Sequence, residues 1–215
     1  MNREQQVAQA LLKIGAVKFS PNNPITFKSG IVSPVYVDNR QFPYHPAEWK
    51  IVIEGFKDLI EKNKINFDVV AGVEAGGIPH SSALGFYLRM PSVFVRKQAK
   101  DHGKKSLIEG GEVKNKNILL VEDLVSTGES SLKSIEALRA DGALASNCLT
   151  IVSYGFQEAK DAFTKTGVNL FSLTSFPVIL EEALQSGVLT QEEVLKIKEW
   201  FVDPHGWGNK YNLST

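Results

Sequence analysis

The 215-residue chain has a single cysteine, Cys148, so no internal disulfide can form. Cys148 lies in the apolar stretch Asn147 to Val152, which points to a packed thiol rather than a reactive one. No apolar run approaches the roughly 18 residues of a membrane span. The first residues, with Glu4 and repeated glutamines, hold no apolar core of signal length. A cytoplasmic protein without membrane contact is expected. Net charge is missing too: 24 Lys+Arg balance 24 Asp+Glu, so no global field draws in nucleic acid, and any anion site must come from local clustering. Two nucleotide signatures are absent. There is no G-x-x-x-x-G-K-[ST] and no G-x-G-x-x-G, and Gly72-Val73-Glu74-Ala75-Gly76-Gly77 has the wrong spacing for a dinucleotide fingerprint. His45, His80 and His205 have no partners at metal-ligand spacing, and no repeat or low-complexity tract occurs.

What is present suits one α/β domain with an appendage, since 43% hydrophobic residues over this length can bury a large core. Val7, Leu11, Leu12 and Ile14 recur at helical spacing, so a helix is predicted over residues 3 to 14. Residues 24 to 44, rich in proline and β-formers, read as short strands and turns. Pro46 marks the start of a helix over Ala47 to Asn63. The segments Phe67 to Val73, Pro91 to Arg96, Asn117 to Asp123, Asn147 to Val152 and Val168 to Leu173 are short apolar strands separated by helical patterns, as in βαβ units. They predict a doubly wound, mainly parallel sheet over residues 66 to 175. Thr190 and Glu193 form a capping box for a last helix reaching about Phe201, after which Pro204, Gly206 and Gly208 are expected to end regular structure.

The most informative segment is Ile118 to Ser131. Four aliphatic residues, Ile118 to Val121, run into Glu122 and Asp123, then into Leu124, Val125 and the small-residue turn Ser126-Thr127-Gly128, with a helix predicted from Glu129 and Ser130 to Arg139. A helix N-terminus attracts phosphate. Acids beside a phosphate cradle make sense for a ligand carrying both hydroxyls and phosphate, such as a ribose 5-phosphate. A plain capping box of Ser126 with Glu129 is the competing reading, but a cap needs no adjacent acids at the end of an apolar strand. The second unusual stretch is the loop from Lys97 to Val113. Arg96, Lys97, Lys100, His102, Lys104 and Lys105 cluster at one end of it, with few apolar anchors. A loop this long without its own structure is usually functional, against the alternative of a solvated charged hairpin.

The Glu122 to Ser131 segment resembles the ribose-phosphate signature of the type I phosphoribosyltransferases. Three further segments narrow the likeness to the orotate phosphoribosyltransferases. Lys28-Ser29-Gly30 through Tyr36-Val37-Asp38-Asn39-Arg40 is similar to their N-terminal segment. Val73-Glu74-Ala75-Gly76-Gly77-Ile78-Pro79-His80 is similar to their pyrophosphate loop, and Arg96-Lys97-x-x-Lys100-Asp101-His102-Gly103 to their mobile catalytic loop. The four follow in the family's order, and the Glu199-Trp200 to Trp207 tail fits as well.

The resemblance implies an α/β type I fold with residues 1 to 65 as an N-terminal hood segment, 66 to 175 as the core, and 176 to 215 completing the hood. It implies transfer of phosphoribosyl from phosphoribosyl diphosphate to orotate, with magnesium, in a homodimer whose mobile loop reaches the neighbouring site. Catalysis falls to Lys100, His102 and Asp123. Glu122 and Asp123 hold the ribose hydroxyls. The backbone from Leu124 and Val125 through Ser126, Thr127, Gly128, Glu129 and Ser130 holds the 5-phosphate. Glu74, Ala75 and Gly76, with Arg96, Lys97, Lys100 and His102, hold the diphosphate, while Ser126, Lys28 and Tyr36 face orotate. Magnesium is bound mainly through substrate, so no dedicated protein metal site is expected. Two departures matter: Gly76 stands where better-known members carry Lys, and Ser153 to Glu158 lacks an Arg that helps hold orotate. Lys28, Tyr36, Arg40 and the Ser126 turn are candidate replacements, with a half-buried strand aromatic the alternative for Tyr36 and ordinary surface pairing the favoured reading of Arg40. A transferase for another nucleobase, or a nucleotide-sensing regulator on the same fold, are the alternatives.

Overall fold

The computed structural model describes residues 2–26, 30–98 and 107–211. The chain opens with α1, Arg3–Lys13, capped by a box in which Asn2 and Gln5 satisfy each other's backbone N–H groups. β1 (Val17–Phe19), β2 (Ile25–Thr26), β3 (Val32–Ser33) and β4 (Val35–Val37) follow, β1 pairing β4 and β2 pairing β3, both antiparallel. A 3-10 helix over Asn39–Tyr44, not foreseen from the sequence, leads into α2, Pro46–Lys62, with Pro46 at its first turn.

The core then reads β5 (Val69–Val73), α3 (Gly77–Leu88), β6 (Ser92–Val95), β7 (Ile108–Glu109), β8 (Asn117–Val125), α4 (Glu129–Ala140), β9 (Leu144–Ser153), α5 (Gln157–Lys165) and β10 (Asn169–Ser175). The chain continues through α6 (Phe176–Gln185), α7 (Gln191–Val202) and α8 (Trp207–Lys210). β8 outruns the expected Asp123 by two residues. β7 places regular structure inside the stretch expected to be loop, pairing antiparallel with β6. The capping box of Thr190 and Glu193 forms as expected. Regular structure does not end at Pro204, however. The Asp203 carboxylate accepts from Gly206 N, and Trp207 anchors α8 by donating from Nε1 to the Lys196 carbonyl at 3.0 Å.

Six strands lie in the order β10-β9-β8-β5-β6-β7, parallel except at β7. Alternating side chains of β8 feed two cores. Leu119 and Val121 join α1, α2, α3, α6 and α7, while Ile118 and Leu120 join α4 and α5. The chain therefore winds first to one face and then to the other. The order reverses between β5 and β8, and in open parallel sheets such a reversal opens a crevice at the carboxyl ends of the strands, where ligands bind. Residues 74–76 and 126–128 leave the sheet there.

Candidate active site at the strand reversal

On the β5 side, the loop Glu74-Ala75-Gly76 is held against β6. Glu74 N donates to the Val95 carbonyl at 3.0 Å, and the Glu74 carboxylate accepts from Lys97 N at 2.8 Å. The missing side chains at Gly76 and Gly77 let α3 enter close to β8. A Cβ at Gly77 would collide with the Val121 carbonyl, and one at Gly76 with the Asp123 carboxylate. The Lys that better-known family members carry at position 76 would therefore need Asp123 to move.

On the β8 side, the two acids stay in contact: their carboxyls interact, and Asp123 N donates to Glu122 Oε1 at 3.2 Å. Asp123 turns toward Gly76 and the α3 face. Glu122 turns toward α4, where it is 4% exposed and accepts from Ser130 Oγ at 2.9 Å and Ser131 Oγ at 3.3 Å. Glu122 therefore stays beside Asp123 but is buried rather than at a solvent end of the strand. The strand runs on to Val125, and Glu122 is locked inside as a brace between strand and helix. Burial, then the charge of Asp123, pushes Glu122 up to about 8, and burial raises Asp123 as well. The buried pair thus resists ionising both carboxyls at once. The nearby Arg40 guanidinium favours the ionised form of Asp123.

Val125 is buried and its carbonyl accepts from Tyr154 N at 2.9 Å, which fixes the strand end, with Leu124 beside it partly buried. Ser126 and Thr127 then turn into Gly128, whose φ of 84° is left-handed and whose Cβ position would lie 2.6 Å from the Phe163 ring, so glycine is required twice over. α4 begins with Gly128 at the N-cap and no side-chain cap. The alternative capping box of Ser126 and Glu129 therefore does not form. The Glu129 carboxylate points outward and accepts from Lys133 Nζ at 2.6 Å. The first backbone N–H groups of α4 are left open at the crevice, an arrangement suited to phosphate.

Tyr36, half-exposed on β4, accepts at its hydroxyl from Arg40 Nη2 at 3.2 Å, and Arg40 Nε donates to Asp38 at 2.6 Å. This is the surface pairing expected for Arg40, yet it also brings a cation near Asp123. Arg96 lies at the end of β6, its N donating to the Leu107 carbonyl and its Nη1 3.5 Å from Glu109. Arg96, Lys97 and Ser130 line one cavity of about 510 Å³ beside α4. Lys28, Lys100 and His102 lie outside the described residues. The sequence reading missed Asn39, which is fully buried and donates from Nδ2 to the Asp123 carbonyl at 2.6 Å. Its only signal was its place between Asp38 and Arg40. Cys148 is fully buried, as expected, and its thiol is pushed far above its usual range.

A profile of the phosphoribosyl transferase domain matches residues 39–179. Orotate phosphoribosyltransferase of Coxiella burnetii is 40% identical over 207 residues, covering 96% of this chain and 99% of that protein. Among solved structures, orotate phosphoribosyltransferase from Aeropyrum pernix superposes with a TM-score of 0.74 at 30% identity, covering 85% of this chain and 99% of that one. Leishmania donovani UMP synthase gives a TM-score of 0.81 at 27% identity over 93% of this chain, which spans only 42% of that longer one. With both the reversal-point geometry and nearly the whole length in agreement, the chain belongs to the orotate phosphoribosyltransferases, within the phosphoribosyl transferase family.

Proposed function

We propose that the chain transfers a 5-phosphoribosyl group from phosphoribosyl diphosphate to orotate, giving orotidine 5'-monophosphate and pyrophosphate for pyrimidine nucleotide synthesis. The observation that carries this is the uncapped N-terminus of α4 facing a crevice shared with Asp123. The backbone N–H groups from Ser126 to Ser130 hold the 5-phosphate, and Asp123 accepts from the ribose hydroxyls. Glu122 holds the cradle rigid from behind. The backbone of Glu74, Ala75 and Gly76, with Arg96 and Lys97, faces the diphosphate, a task that Lys100 and His102 share by family resemblance.

As the bond from C1 to the diphosphate oxygen breaks and the bond to the pyrimidine nitrogen forms, positive charge develops on the ribose and negative charge on the leaving group. Anchored hydroxyls and a cationic clamp stabilise that separation. Tyr36, Arg40 and Ser126, with Lys28, are the orotate contacts in this reading, and the Arg40 cation suits orotate's carboxylate. Magnesium fits the donor set. Among the described residues no group of three or more His, Cys, Asp or Glu could hold a metal, whereas Mg²⁺ keeps several waters and is commonly bound through one or two carboxylates and substrate phosphates. Asp123 is the side chain that would assist in holding it, and the ion would screen the diphosphate charge.

A homodimer sharing its sites belongs to the same reading, supported by Phe86, 90% exposed, and its neighbour Tyr87 on α3, which offer aromatic surface to a second copy. So does a cytoplasmic location; among the described residues no helix is long and apolar enough to cross a membrane. The deciding experiment follows orotate absorbance after mixing protein, phosphoribosyl diphosphate and magnesium, with adenine, hypoxanthine and uracil as controls. Turnover with a control base and none with orotate would overturn the assignment.

A further inference from the structure

We propose that Asn39 is a positioning residue for Asp123, held in register by a brace packed around His80, which Trp49 fixes by a hydrogen bond. The sheet itself creates the need for it. Pairing of β8 with β5 ends at Gly72 opposite Val121, because the chain after Val73 leaves the sheet to form the Glu74 loop. The Asp123 carbonyl lies beyond that ladder. A buried carbonyl without a donor is unfavourable, and on this side β8 has lost its strand partner, while on the other its ladder with β9 runs on to Val125.

Asn39, 84 positions away in sequence, supplies the donor at 2.6 Å. Rotating the amide would face its oxygen against the Asp123 carbonyl, so the Nδ2 orientation is the one retained, at the expense of leaving Asn39 Oδ1 buried with no partner among the described residues.

What holds Asn39 is the junction of the 3-10 helix with α2 and α3. Trp49 Nε1 donates to His80 Nδ1 at 2.9 Å. An imidazole that accepts at Nδ1 while neutral carries its proton on Nε2. His80 Nε2 makes no well-aligned hydrogen bond, and the backbone group that acts on this imidazole is that of Asn39. Phe42 of the 3-10 helix and Trp49 of α2 pack edge-on against the His80 ring, with centroids at 6.2 and 6.0 Å. His80, Asn39 and Phe42 are all fully buried. The brace thus spans α2, α3 and the 3-10 helix and ends on the strand that presents the acid.

The inference rests on Asp123 as a ligand of the donor's ribose, and the test separates the two. Donor affinity is measured by calorimetry with phosphoribosyl diphosphate and magnesium for Asn39→Ala, Asp123→Asn and the double variant, together with KM for donor and for orotate. Asn39→Ala is expected to weaken donor binding about tenfold with orotate KM within twofold, and to add no more than twofold in the Asp123→Asn background, because its effect runs through that carboxylate. An equal penalty in both backgrounds, or equal loss toward donor and orotate, would reduce Asn39 to a packing residue and overturn the proposal. Unchanged donor affinity in Asp123→Asn would instead remove the premise. If Asn39→Ala does not fold, Asn39→Ser, which keeps a donor, and Trp49→Phe, which keeps the ring but drops the Nε1–H, replace it. Serine should retain most of the affinity. Trp49→Phe should lose about threefold on the donor alone, and no loss there would remove the outer half of the brace.

Discussion

His80 offers the sharpest test of the packing behind the site. Its imidazole is fully buried, accepts from Trp49, and is held well below its usual range, at about 4 against 6.5, because burial strips water from the cation. Between pH 6.5 and 4 the unfolded chain therefore binds a proton that the folded chain refuses. Stability is full above pH 6.5 and is lost progressively as the pH falls toward 4, by roughly 3 kcal/mol at 1.36 kcal/mol per unit. Glu122 acts in the opposite sense. Its folded value, pushed up to about 8, means that the native state holds a proton the unfolded chain has released, so stability falls as pH rises from about 4.5 to 8. In the wild type the two slopes oppose each other between pH 4.5 and 6.5. The informative quantity is thus the difference between wild type and His80→Asn, which keeps an acceptor for Trp49. Urea unfolding, followed by far-UV circular dichroism at fixed protein concentration from pH 4 to 7.5, should show that difference changing by about 1.4 kcal/mol per pH unit below pH 6.5 and levelling above it. A constant offset for the variant affects only the intercept. A difference that stays flat across the whole range would mean that His80 is not held neutral, and the reasoning would fail.

Asp123→Asn should weaken binding of phosphoribosyl diphosphate by about tenfold or more in calorimetry while the melting temperature moves little; unchanged affinity would take Asp123 out of the site. Glu122→Gln should stabilise the protein more at pH 8 than at pH 5, because the burial of a charge that it relieves exists only at the higher pH, and a shift equal at both values would contradict the protonation argument. Mixing Lys100→Ala with Asp123→Asn, each nearly inactive alone, should restore part of the activity if one chain's loop serves its neighbour's crevice. Verified subunit exchange without recovery would assign each loop to its own chain.

The strands, the mainly parallel character of the sheet and the position of the Ser126 to Gly128 turn were legible because β5, β8 and β9 are apolar on both faces and stand between helical patterns. The contact between Glu122 and Asp123 follows from their adjacency, but the burial of Glu122 against Ser130 and Ser131 depends on how α4 packs on the strand and was not legible. The competing Ser126 and Glu129 pattern forms no box for a local reason. Gly128 can adopt a positive φ and so takes the cap position itself, leaving Glu129 free to pair with Lys133. Asn39, Trp49 and His80 were out of reach for a different reason. Their hydrogen bonds join segments 31 and 84 residues apart, and no periodicity encodes such a meeting.

The two ends of the chain meet far from the crevice. α1 packs against α6 and β10, Gln9 Nε2 donates to Glu182 at 2.8 Å, and Ser175 Oγ donates to Glu4 at 3.3 Å. During synthesis, then, the first helix can pack on α2 early, but its contacts with β10 and α6 wait until residues 169–185 have left the ribosome. Nascent chains arrested before residue 169 should be cut readily by protease within α1, and released full-length chains should not. The earliest helix of the chain is in that sense among the last to be fully protected.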